Sequence, residues 1–128
     1  MHIILGIIFF VHGLAHVVGF VVPWKIAKLD DAPYKTSLLN GIIDVGDSGI
    51  RLIGILWLIA AHLFFAIAIG VFTTSFWWQD LTFCAALFSL LLSIFGLPDS
   101  KIGILVNIAI LVFLIYGKKV GLLPISQQ

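Results

Sequence analysis

The sequence predicts an all-α transmembrane four-helix bundle with antiparallel neighbours and one long first loop. Three observations predict it. Of 128 residues, 62% are hydrophobic and 10% are charged, whereas soluble domains carry about 25% charged residues. The seven Lys and Arg and the six Asp and Glu are gathered into short stretches with long uncharged runs between them. Those runs approach the roughly 20 apolar residues needed to cross a ~30 Å hydrocarbon core. The composition excludes a disordered chain, which needs low hydrophobicity and high net charge. A net charge of +1 leaves no basic surface for nucleic acid. At about 150 residues per domain, the chain is a single membrane domain over 1–128.

The first span is expected over about 2–22 and is ended by Pro23, which removes a backbone donor. It has no basic n-region, no A-x-A site and an apolar run beyond the usual ~7–15 residues, so it reads as a retained helix rather than a signal peptide. A loop follows over about 23–50. The second span is expected over about 52–72 and the third over about 77–97, separated by the polar turn Thr73-Thr74-Ser75. Leu97-Pro98-Asp99-Ser100 ends the third span and supplies cap residues for the fourth, expected over about 102–117. Trp24, Trp77, Trp78 and Tyr116 fall where an interfacial aromatic belt is expected. The residues from Lys118 to Gln128 read as a tail. The short connections make spans two, three and four neighbouring hairpins. The excess of Lys and Arg in the first and third loops favours a cytoplasmic long loop with both termini outside. Cys84 is the single cysteine and forms no intramolecular disulfide.

Polar residues inside lipid mark packing faces or function. At about 100° per residue, His2, Gly6, Phe9, His12, Gly13 and His16 share one arc of the first span and should look into the bundle. His12 and His16 are i and i+4, so their rings lie one turn apart and together could hold a metal ion. Without an adjoining Glu they do not form the H-E-x-x-H arrangement; as packing residues they would bond to neighbouring carbonyls. In the second span, Asp44, Asp47, Arg51, Leu58, His62 and Phe65 share an arc, and Asp47 precedes Arg51 in the order that favours an ion pair. The bland reading gives the acids a capping role and lets Arg51 snorkel. The sharper one gathers the binding residues His12, His16, Asp44, Asp47, Arg51, Asp99 and Asn107 into one polar pocket near the first loop. His62 is the only ionisable group deep in a span and should face protein. Thr82, Ala85, Ala86, Ser89, Ser93 and Gly96 form a small-residue packing face on the third span. Asn107 is an amide needing partners, with Asp99 or the Arg51 arc as suppliers.

The stretches HGLAHVVGF (12–20), DVGDSGIR (44–51), GILWL (54–58) and PDSKIG (98–103) with Asn107 resemble a family of small four-helix bacterial membrane proteins without an established activity. In size and hydropathy the chain also resembles, more loosely, the DoxX-like four-helix membrane proteins. The resemblance implies the fold and an integral, multi-pass place in the bacterial inner membrane, and names no reaction, substrate or cofactor. The expected function is therefore a small membrane protein whose polar pocket binds a metal, a lipid head group or another anion. The alternatives are an accessory subunit of a larger membrane complex, a small transporter subunit, or a redox protein holding one b-type haem between His12 or His16 and His62. The expected partners are the bilayer and either a second copy of the chain or a larger complex.

Overall fold

The computed structural model describes residues 1–123, so the last five residues of the expected tail lie outside the described residues. Four helices run in the order α1 (His2–Val21), α2 (Gly46–Phe72), α3 (Trp78–Phe95) and α4 (Lys101–Lys119). Each is long and apolar enough to cross a membrane. The all-α bundle is as predicted, with two differences in extent. The second helix starts at Gly46 rather than near 52, with Asp47 in its first turn, where the helix dipole favours an acid. The start of the expected tail is α4 itself, and Leu123 folds back to bury its side chain beside Gly117.

The helices pack in sequence: α1 on α2, α2 on α3, α3 on α4, while α1 and α4 barely touch. The close α1–α2 contact is made by glycine. A Cβ at Gly13 would lie 2.7 Å from Phe65 Cε1 and 3.2 Å from the Ala61 carbonyl oxygen, so only hydrogen leaves room for α2. The apolar core, built on Phe9, Phe64, Ile67, Val71, Trp78 and Leu114, fills the half of the bundle nearer the termini. Outward faces are aliphatic, as lipid requires; Ile3, Ile4, Ile7 and Leu14 of α1 are all exposed.

The long loop is structured. Its two-residue strands β1 (Ser37–Leu38) and β2 (Ile43–Asp44) pair antiparallel, Ser37 with Asp44 and Leu38 with Ile43. Leu39, Asn40 and Gly41 turn the chain with positive φ, a conformation that costs glycine little. The hairpin tip reaches across the bundle. Leu39 N–H donates to the Phe95 carbonyl and Asn40 N–H to the Leu97 carbonyl, both at 2.9 Å. These amides satisfy carbonyls that the end of α3 leaves free. Lys35 Nζ meets Asp99 Oδ2 at 2.5 Å on the same side. The loop thus roofs the end of the bundle opposite the termini.

Candidate functional site

The apolar periodicity of α1 turns Gly6, Phe9, His12, Gly13 and His16 inward, leaving His2 exposed. On α3 the face of Thr82, Ala85, Ala86, Ser89 and Ser93 is buried. On α4 the buried polar residue is Asn107. These three faces bring together a four-residue polar ring near the middle of the bundle. His12 Nε2 lies 3.2 Å from Asn107 Oδ1. Asn107 Nδ2 donates to Ser89 Oγ at 2.7 Å and to the Gly103 carbonyl at 2.8 Å. Ser89 Oγ lies 2.5 Å from His16 Nε2, and His16 Nδ1 lies 2.8 Å from the His12 carbonyl.

One arrangement of protons satisfies all of these contacts. The Gly103 carbonyl can only accept, so it fixes which end of the Asn107 amide is NH2. Asn107 Oδ1 then accepts from His12 Nε2–H, Ser89 O–H donates to His16 Nε2, and His16 Nδ1–H donates to the His12 carbonyl. Every donor in the ring has an acceptor with both imidazoles neutral, the form expected away from water. Phe64 supports the two rings, with its centroid 4.4 Å from that of His12 and 5.2 Å from that of His16.

A cleft of about 660 Å³ runs past the ring, from the level of Ile7 on α1 to the loop roof. Its walls are α1 (Val11, Ala15, Gly19), α4 (Ile102, Gly103, Val106) and Trp57 of α2. Most of the lining is aliphatic, and it runs along the seam where α1 and α4 barely touch. His12, His16 and Ser93 are its inner polar residues; Tyr34, Lys35, Asp99 and Ser100 stand at its mouth. Ser93 is fully buried, and its Oγ has no hydrogen-bond partner among the described residues. A second cavity of about 470 Å³ under the loop shares Val22, Ala32, Pro33 and Tyr34 with the first.

The seven residues expected to form one pocket therefore divide. His12, His16 and Asn107 meet in the ring, and Asp99 reaches the mouth of the cleft. Asp44, Asp47 and Arg51 are exposed and do not line the cleft. Asp44 accepts from Gly46 N–H at 3.0 Å; that amide and the Thr36 side chain hold its carboxyl below the usual carboxylate range. Asp47 accepts from the Tyr34 hydroxyl, which raises the phenol's affinity for its proton. Arg51 lies over the Trp24 ring, 5.9 Å from its centroid, and no Asp47–Arg51 ion pair occurs among the described residues. The arc on α2 borders the buried face of Gly54, Ala61, Phe64 and Ala68, so Phe65 packs against Gly13 while Asp47, Arg51 and His62 at its outer side are exposed. His62 is exposed rather than turned inward, and its Nδ1–H donates to the Leu58 carbonyl at 2.8 Å. It therefore does not stand opposite His12 or His16 as an axial haem pair would require. The partners of Asn107 are His12, Ser89 and Gly103, not Asp99 or Arg51.

For a metal, His12 and His16 offer little. Three of their four ring nitrogens are occupied by hydrogen bonds, and the described residues contain no group of three or more His, Cys, Asp or Glu that could hold an ion. Two residues escaped the sequence reading as site residues. Ser89 and Ser93 both read as packing, and their spacing on one helix face could not tell the bonded hydroxyl from the unbonded one.

No family model, curated protein or solved structure is similar enough to this chain to match it.

Proposed function

We propose that the protein is a multi-pass protein of the bacterial plasma membrane that binds an amphipathic, membrane-soluble molecule between α1 and α4. The observation that carries this reading is the cleft: about 660 Å³, mostly aliphatic, set between α1 and α4 where the two helices have few close approaches. Its size falls within the ~300–1,000 Å³ of small-molecule sites, and a few convergent polar groups in an apolar wall are what orient a ligand in such sites. Of the ligands expected from the sequence, the apolar lining favours a lipid-like body over a bare metal or a small free anion. The Lys35–Asp99 pair already neutralises the charge at the mouth. Placing the loop in the cytoplasm, as Lys25, Lys28, Lys35 and Arg51 favour, puts that mouth on the inner leaflet.

Ala15 borders the cleft from α1 and is otherwise exposed, so a larger side chain there fills the seam without entering the core. Native mass spectrometry of the detergent-purified wild type should show about one retained amphiphile per chain, and Ala15→Trp should retain at least ten-fold less. Equal retention by the two proteins, or none in the wild type, would overturn the reading.

A further inference from the structure

The outward side of α2 carries a stripe of its own. Leu52, Ile55, Ile59, His62, Ala66 and Ile69 follow one another in alternating steps of three and four, and all but the half-buried Ala66 are exposed. A repeat of about 3.5 residues is the seam of a left-handed helix pair. None of the six lines the cleft, so the stripe is independent of any ligand there. His62 is its one polar residue. It lies about 15 Å from Phe72, the nearer end of α2, at 1.5 Å per residue. That is half of a ~30 Å hydrocarbon core, too deep for an imidazole to reach water. Its Nδ1–H donates to the Leu58 carbonyl at 2.8 Å, and the ring stands edge-on to Phe65 with centroids 6.3 Å apart. Nε2 has no hydrogen-bond partner among the described residues. Ionisable groups at this depth almost always meet protein, because lipid offers a polar atom nothing.

The occupant of this face must bring a polar group to the same depth. A second copy does so by construction. The bias of Lys and Arg gives every copy one orientation, so two α2 helices run parallel and hold His62 at one level. Two-fold pairing along the stripe sets each residue against its own counterpart. The aliphatic layers then match, the histidines meet, and Ala66 one turn further on lets the helices approach. One polar layer in an apolar seam is also what fixes register in a helix pair. The two neutral rings can form one bond when one of them carries its proton on Nε2 instead of Nδ1. That N–H donates to the other Nε2, and the Leu58 carbonyl it releases keeps the helix bond from the His62 backbone amide. We propose that the protein forms a parallel dimer through α2, with the two His62 rings bonded to each other at its centre.

Cys84 is exposed, so the test starts from a full-length Cys84→Ala chain. Added singly to it, Ile55→Cys, Ile59→Cys and Ile69→Cys should each give a disulfide-linked dimer on oxidation in native membranes. Leu91→Cys and Val112→Cys, on exposed faces of α3 and α4, should stay monomeric. Energy transfer between labelled chains in liposomes should show His62→Leu weakening the dimer about ten-fold, within the range of polar contacts between membrane helices, with helix content unchanged. His62→Gln keeps a donor and an acceptor at that level and should stay within about three-fold of wild type. Monomers at every position, or equal cross-linking at the α3 and α4 controls, overturn the dimer. Cross-linking to a different protein overturns the second copy as the occupant. A dimer as tight in His62→Leu as in wild type overturns the histidine pair at its centre.

Discussion

Asn107→Leu is expected to destabilise the protein by about 3 kcal/mol, since one buried donor is left unpaired at ~1–3 kcal/mol and a second buried group gives up one of its two bonds at about 1 kcal/mol. The leucine has a similar size, so the loss is one of hydrogen bonding rather than volume. His12 Nε2–H loses its acceptor and Ser89 Oγ loses the amide donor. The ring connects α1, α3 and α4, so the effect should appear as a loss of helix association in detergent unfolding, with helix content little changed. Exchange of both partners, as in His12→Leu with Asn107→Leu, should recover part of the loss, because the unpaired His12 N–H is removed while only the Ser89 acceptor stays short of a donor. We expect a coupling of about 1.5 kcal/mol, above the ~0.6 average for bonds between membrane helices and near the top of that range. The closed ring and full burial of Asn107 account for the difference. A coupling below about 0.5 kcal/mol, the limit of ordinary additivity, would mean that the ring is incidental to stability.

Gly13→Val is the second large effect, again about 3 kcal/mol, at the upper end of the 1–3 kcal/mol typical of overpacking. Its β-carbon would strike Phe65, which can rotate, and the Ala61 carbonyl, which cannot without moving α2. The two helices must separate, and His12 and His16 on either side of Gly13 move with α1. Leu14→Val on the exposed neighbouring face should change the melting temperature little, since that side chain meets lipid. A Gly13→Val protein as stable as the Leu14→Val control would show that α1 and α2 have slack the structure does not display.

The span pattern was legible because lipid imposes a simple rule on length and polarity. The inward face of α1 was legible for the same reason: Gly6, His12, Gly13 and His16 repeat with the helix, and the rest of the helix is aliphatic. The α2 stripe misled because Asp47, Arg51 and His62 share an arc, and an arc of polar residues does not say which way it turns. Residues at a helix end can point to water at the interface, and His62 pairs with its own helix through the Leu58 carbonyl. That local bond removes part of the cost that would otherwise drive it inward. The ring itself joins residues 95 and 73 positions apart, so its partners are set by how the helices are arranged around the bundle. The loop strap was not legible either, since its bonds use backbone amides that every residue possesses.

The ring has an implication for biogenesis. Chains emerge and insert from the N-terminus, so His12 and His16 enter the membrane well before Asn107 is made. After the third helix crosses, His16 can find Ser89, yet His12 Nε2–H and Ser89 Oγ still lack the amide that later joins them. The roof can already be tied down at that stage, because its anchoring carbonyls belong to Phe95 and Leu97. An incomplete chain is therefore closed at one end while still bearing unpaired polar atoms at its centre. Arrival of the last helix supplies the Asn107 amide that pairs both atoms, so the centre of the bundle is completed only when the final span is in place.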